Sequence, residues 1–235
     1  MMSFAKLLAV IADSPPVLTE QQSVVFGHAY VGGQLFHLLG VSESTFLGVE
    51  QALIMAEQVI GLIESKSHAP VLLLVDVAGQ QLTMRDEWLG MNQYFAHLLT
   101  SLAHLRQQGN RLIALVYNQA VGGSFIAYGL MADTILALPQ AKLAVMWLEG
   151  MAKITKIDLD RLEQLSAAIP VFAPGVTNFY QLGGLHEIVT LENIPAKLVK
   201  AAQLTDVDDN RAQLGYERGG RQVAWSIIKE IALLS

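Results

Sequence analysis

Residues 111–139 read RLIALVYNQAVGGSFIAYGLMADTILALP, and the order of patterns within them sets the architecture. RLIALVY is an unbroken apolar run of the kind found in a strand buried on both faces. Gly122 and Gly123 follow, then a small-residue segment to Met131 that reads as a short helix, then DTILALP, another strand-like run. Strand, turn, helix and strand in that order describe a parallel crossover unit. The glycine pair has two readings. Glycine at a strand-to-helix turn permits positive φ, and it also lets another molecule approach bare backbone amides at a helix start. The first is architecture and the second is chemistry, and these residues alone leave both open.

Outward from this unit the alternation recurs. VEQALIMAEQVIGLIE at 49–64 carries apolar residues at helical spacing, and PVLLLVDV at 70–77 is a second buried strand. Asp86–Gln108 predicts another amphipathic helix. Upstream, SVVFGHAYV and QLFHLLGV flank Gly32 and Gly33 and predict a β-hairpin, so strands are expected to open the fold. After Pro139 the sequence predicts a short strand in KLAVMW, a helix begun by Glu149, a helix near 158–168, and the segment NFYQLGGLHEIV. A last helix within 217–234 has apolar residues at 223, 227, 228, 231 and 234 and suits docking on a neighbouring chain. Asp133 is expected to cap or orient the entry to its strand. TDVDDN at 205–210 is the only linker-like stretch, its acidic run read as a solvated loop, and 1–235 reads as a single domain. The expected class is α/β, with repeated ββα units and a largely parallel sheet flanked by helices.

Composition excludes several functions. The 235 residues are 52% hydrophobic and 15% charged, with a net charge of -6 and no cysteine. Disulfides and thiolate metal sites are therefore out, and scattered Lys and Arg form no stripe for nucleic acid. MMSFAKLLAVIADSPP holds an apolar run too short for a signal peptide, and nothing approaches the roughly eighteen apolar residues of a membrane span. A cytoplasmic protein is expected. Apolar excess on this scale implies surface covered by a partner, as in an obligate subunit.

Motif searches narrow the field further. His97 and His104 lie seven apart on a predicted helix without HExxH, and read as structural rather than metal-binding. No GK[ST] phosphate loop or GxGxxG is present. Ser124 in GGSFI lacks the GxSxG context of a nucleophile elbow, and a serine hydrolase built on it is the alternative these residues allow. His186 and Glu187 are adjacent, so on a strand they face opposite ways. Asn118 and Gln119 are read either as polar residues satisfying local backbone or as substrate contacts.

With the strand, glycine turn, short helix and ADTILALP in place, the chain resembles the crotonase superfamily. In that superfamily the backbone amides of such a turn form half of an oxyanion hole. PVLLLVDVAGQ looks like the earlier strand supplying the other half through Ala78, Gly79 and Gln80, and LGGLHEIV like a late helix-to-strand segment. The likeness runs over about Val49–Val189. Within the superfamily GNRLIALVYNQAVGGSF and VMWLEGMAKI are most similar to the carboxyltransferase branch, and the whole chain to the gamma subunits of biotin-independent malonate decarboxylases. Two departures stand out. Phe125, Ile126 and Ala127 occupy positions where hydratases carry a catalytic glutamate, which disfavours hydration. AGQQLTMRDEWLG keeps only Gly79 near the strand where carboxyltransferases have a glycine-rich loop.

The resemblance implies Gly122 and Gly123 as catalytic amides, with Ala78, Gly79, Gln80, Asn118, Gln119 and Ser124 binding substrate. It implies an obligate homologous beta subunit, an acyl carrier (delta) subunit bearing a phosphoribosyl-dephospho-coenzyme A group, and an acyl-carrier transferase (alpha) subunit, with no cofactor on this chain. The implied reaction decarboxylates a malonyl thioester to an acetyl thioester and carbon dioxide. Its barrier falls by stabilising an enolate oxygen or the leaving carboxylate, which amides can do without a titrating group. The absence of acid and base residues equally suits a non-catalytic scaffold subunit, and the resemblance also admits a peptidase of the related Clp type using Ser124.

Overall fold

The computed structural model describes residues 2–169, 173–205 and 208–233. The chain opens with a helix, not with the expected strands. Ser3 caps α1 (Phe4–Ile11) by accepting the Lys6 N–H at 3.2 Å, and Leu7, Leu8 and Ile11 turn inward. Two turns of helix are too short to declare themselves by period alone. Asp13 then accepts the Gly32 and Gly33 amides at 3.0 and 2.7 Å, pinning the end of this helix to the predicted hairpin.

That hairpin is β2 (Val24–Val31) and β3 (Gln34–Val41), joined by Gly32–Gly33, and it is extended by β1 (Val17–Gln21) into an antiparallel meander. Every residue of β1 is exposed, so the strand carries no alternation to read. There follow β4 (Thr45–Leu47), α2 (Val49–Ser65) and β5 (Val71–Gln80). The helix expected over 86–108 is two: α3 (Met84–Trp88) and α4 (Met91–Gln107), parted at Gly90, whose φ of 75° no α-helix accommodates. Next come β6 (Leu112–Val121), α5 (Gly122–Ser124) with a π-helical turn at Phe125–Gly129, β7 (Thr134–Ala137), β8 (Lys142–Ala144), α6 (Leu148–Thr155) and α7 (Leu159–Ala168). The described chain ends with α8 (Val176–Gln181), β9 (Glu187–Ile188), α9 (Ile194–Ala202), α10 (Arg211–Glu217) and α11 (Gln222–Ala232).

The sheet order is β1-β2-β3-β5-β6-β7-β9, parallel from β3 onward. Its central strands are buried on both faces. Val71, Leu73, Val75 and Val77 of β5 join Leu112, Ala114 and Val116 of β6 under α2 and α4. Leu72 and Leu74 join Ile113, Leu115 and Tyr117 on the other face, under α1 and α9. The period of two thus distributes one apolar run between two core layers.

Midway, the two central strands exchange neighbours. β5 leaves β3 and takes β4 as its partner from Val77 to Gln80, while β6 leaves β7 and takes β8 from Gln119 to Val121. Between Val75↔Val116 and Val77↔Ala120 the register slips, setting Asp76 against three residues of β6. Asp76 is 1% exposed, and its carboxylate accepts from Ser44 N and Oγ (both 2.9 Å), Asn118 Nδ2 (3.0 Å) and Gln119 N (3.3 Å). A carboxylate survives burial only when so surrounded by donors, and here it satisfies the groups that the slip frees.

At strand ends the sequence expectations hold locally. Asp133 accepts the Leu112 N–H at 2.9 Å and pairs with Arg106, fixing the entries to β6 and β7 together. Glu149 lies in the first turn of α6. The last helix begins at 222 rather than 217, because Arg218–Arg221 form a turn after α10; Leu234 lies outside the described residues. Of the linker-like stretch, 206–207 lie outside the described residues. Directly after it, Arg211 donates to Asp209 and to the Leu130 carbonyl (2.8 Å), so the chain is fastened to the body at that point. Among the described residues no helix is long and apolar enough to cross a membrane.

Candidate functional site

Where β5 and β6 end, the exchange of neighbours sets two glycines face to face. Gly79 has φ 139° and Gly122 has φ 68°, angles that side chains strongly disfavour. A β-carbon on Gly122 would lie 3.9 Å from Gly79 Cα and 3.9 Å from the Val145 carbonyl oxygen, while the Phe46 ring packs 3.6 Å from the equivalent point on Gly79. Ends of β4, β5, β6 and β8 therefore converge on one spot. Gly123 is different. Its φ is outside the left-handed region, yet a β-carbon there would meet Gln80 Oε1 at 2.4 Å, so space and not backbone angle requires glycine.

Helix begins directly at Gly122, and amides of a first turn have no acceptor within the helix and carry partial positive charge. Behind them the chain widens into a π turn, with Leu130 N donating to Phe125 O at 3.0 Å. Tyr128 anchors that turn through a 2.9 Å bond to the Leu74 carbonyl, and burial raises its phenol well above the ordinary range. The turn is thereby held against β5 by groups that do not titrate near neutrality.

An open groove of about 570 Å³ leads away from Gln80, walled by Ser44, Thr45, Phe46, Gln81 and Thr83. Its far wall is fixed by Asp86, which accepts the Val49 N–H at 2.8 Å and the Thr83 hydroxyl. These bonds, Thr83's first, hold the Asp86 carboxyl below the usual aspartate range. A larger cavity of about 630 Å³ lies between α1 and β1, lined by Phe4, Leu8, Pro15 and Leu18, and is mainly alkyl. At the glycine pair, Ala78–Gln80 and Gly122–Gly123 contribute no acid or base. The arrangement can stabilise negative charge and cannot by itself move a proton.

The sequence-predicted residues separate into two groups. Gly79, Gln80, Gly122 and Gly123 come together, with Ala78 beside them on β5. Asn118 and Gln119 do not join them: four and three residues back along β6 from Gly122 is roughly 13 and 10 Å. Asn118 is buried, with Oδ1 accepting from Met2 N at 2.9 Å and Nδ2 donating to Met2 O and to Asp76. Both line a separate cavity with Glu20 and Glu43. Ser124 is 0% exposed and its hydroxyl donates to Val121 O at 2.8 Å, presenting no nucleophile to a substrate. His186 accepts the Ile135 N–H at Nδ1, and burial lowers its pKa. Sequence reading passed over Phe46 and Asp76. A lone carboxylate inside VLLLVDV was the available signal for Asp76; Phe46, on a three-residue strand, gave none.

Comparison with known proteins establishes the family and the fold. Residues 42–234 match the family described as malonate decarboxylase gamma subunit. The chain is 33% identical over 203 residues to the malonyl-S-ACP:biotin-protein carboxyltransferase MADD of Malonomonas rubra, covering 77% of this chain and 70% of that protein. In three dimensions it is similar to a chain of a Pseudomonas malonate decarboxylase hetero-tetramer solved with coenzyme A (TM-score 0.82, 23% identity, 95% of this chain and 97% of that one). It is also similar to a chain of the Pseudomonas MdcD–MdcE hetero-dimer (TM-score 0.75, 25% identity, 96% of each chain). Transcarboxylase 12S shares the fold at a TM-score of 0.71 and 21% identity over 85% of this chain and 40% of that one. The fold is the crotonase-like carboxyltransferase fold that the glycine turn and its flanking strands implied. On the span of the family match and on the identity to its relative, the chain belongs to the malonate decarboxylase gamma subunit family.

Proposed function

We propose that this chain completes a site that decarboxylates a malonyl thioester at the interface with a homologous beta subunit, releasing carbon dioxide and an acetyl thioester. One observation carries the reading: Gly79 near the end of β5 and Gly122 directly after β6, 43 residues apart in the chain, meet at a helix start with no acid or base between them. Loss of carbon dioxide moves the electron pair of the breaking C–C bond onto the thioester oxygen, where the charge must be stabilised, and the proton that turns the enolate into an acetyl group comes from water or from the beta subunit. Amides of Gly122 and Gly123 supply that stabilisation to the enolate or to the leaving carboxylate, with Ala78, Gly79 and Gln80 forming the opposite wall. Ser124 shapes the turn from behind, and Asn118 and Gln119 support it through Asp76.

A partner is supported by the surface around the site. Leu82, Met84 and Trp88 follow β5, Trp88 being 82% exposed, and Val145, Trp147 and Ile154 follow β8. Apolar area of this kind at the mouth of a site is what an obligate interface covers. α11 offers Val223, Ile227 and Ile231 as a second docking face. The thioester is carried on an acyl carrier (delta) subunit through a phosphoribosyl-dephospho-coenzyme A arm, loaded by the transferase (alpha) subunit, in the cytoplasm. Carbon dioxide release from malonyl thioester, measured with and without the beta chain, tests the reading. Release by the beta chain alone at the full rate reduces this chain to a scaffold.

A second reading has one observation behind it: the Malonomonas rubra relative is named for transfer to a biotin protein. The same amides would serve carboxyl transfer, since both reactions pass through the enolate. Avidin decides between them. Carbon dioxide release that avidin leaves intact, with no biotinyl acceptor present, excludes transfer as the obligatory step.

A further inference from the structure

Gln80 is the last residue of β5, and its backbone is paired to Leu47 of β4. Its side chain is half-buried and no hydrogen bond holds its carboxamide among the described residues, whereas Ser44 and Asn118 at the fork of the sheet are bonded to Asp76. The carboxamide oxygen lies 2.4 Å from the point where a side chain on Gly123 would begin, and Gln80 also lines the open groove. A free polar end is thus set between the groove and the glycine turn.

We propose that Gln80 covers the glycine turn in the empty chain and, when an anionic oxygen enters, swings aside to donate to it from Nε2. This inference rests on the reading that the turn binds a carboxylate or enolate oxygen. A carboxamide suits the task because it has both an acceptor and two donors on one rotatable plane. In the empty site the oxygen end rests against the turn, and in the loaded site the nitrogen end faces the anion. The backbone amides supply part of the recognition, and Gln80 makes it selective for negative charge.

Gln80→Glu keeps the shape and replaces the donor with a carboxylate, which repels the substrate anion. Free glutamate titrates near 4.3, so the neutral, donating form of the variant grows about tenfold for each pH unit lowered between 7.5 and 5.5. In the assembled complex, kcat/KM of Gln80→Glu is expected to fall about 100-fold or more at pH 7.5. Its ratio to the parent measured at the same pH is expected to rise at least about 10-fold by pH 5.5. Gln80→Leu loses the donor without gaining charge, and its loss of about 10-fold to 100-fold should be flat with pH. Affinity for a malonyl thioester is read beside turnover, so an inactive variant still reports, and co-purification with the beta chain checks assembly. Gln80→Glu within threefold of the parent, or a loss whose ratio does not move with pH, overturns the assignment. If the parent complex itself releases no carbon dioxide, the underlying reading fails instead.

Discussion

A methyl group placed at residue 123 tests what the glycine pair is for. In Gly123→Ala the new β-carbon would stand 2.4 Å from Gln80 Oε1, whereas ordinary contact begins near 3.4 Å. The oxygen must therefore retreat by about 1 Å, and turning a free carboxamide that far off its preferred angle costs about 0.5–1.5 kcal/mol. Alanine recovers up to about 1 kcal/mol through its better helix propensity, so global stability should change by no more than about 1 kcal/mol. Turnover is a different matter. The methyl group intrudes where a substrate oxygen meets the amides, and loss of one such donor typically costs about 100-fold to 1,000-fold in rate. Carbon dioxide release by the assembled complex is the assay, with denaturant unfolding and co-purification alongside. Gly122→Ala is the contrasting variant: nothing lies closer than 3.9 Å, but φ 68° costs an alanine about 1–2 kcal/mol, so it should lose stability through strain and not through crowding. Gly123→Ala combined with Gln80→Ala removes the collision. A rate loss in the double variant beyond that of Gln80→Ala alone belongs to the substrate's own space. Gly123→Ala that assembles, and decarboxylates within threefold of the parent, refutes the chemical role of the pair and leaves packing around Gln80 as its purpose.

Asp76→Ala should destabilise the chain by about 3–5 kcal/mol, because donors on Ser44, Asn118 and Gln119 are left without their acceptor inside the sheet; chemical denaturation measures it. Ser124→Ala should cost about 1 kcal/mol for the lost bond to Val121 O and retain most activity, and covalent capture of Ser124 by a serine-directed reagent would contradict its burial. For His186 the sign follows from its lowered pKa. The unfolded chain binds the proton more readily, so the neutral ring's contribution is complete above the unfolded value near 6.5 and declines as pH falls toward and through the folded value. Protection of the Ile135 amide, which donates to Nδ1, measured against its intrinsic exchange rate at each pH, should fall below about pH 6.5, and His186→Gln should flatten that dependence.

Much of this protein was legible in its residues because the patterns that made it so are local. VLLLVDV and RLIALVY read as strands covered on both faces, SVVFGHAYV–GG–QLFHLLGV as a hairpin, and the glycine pair after a buried strand as the start of a helix. Segments without a local pattern were not readable: β1 is wholly exposed, α1 spans two turns, and Gly90 parts two helices whose apolar period runs on across it. The site itself needed the tertiary structure. That Gly79 faces Gly122, that Asn118 is spent on Met2 and Asp76, and that Ser124 is sealed from solvent all follow from the register slip at Asp76 and the exchange of strand neighbours beyond it. A sequence records how each residue's burial alternates along its own strand. It does not record which residue of another strand stands opposite, and the distance from Gln80 to Gly123 is decided by that alone.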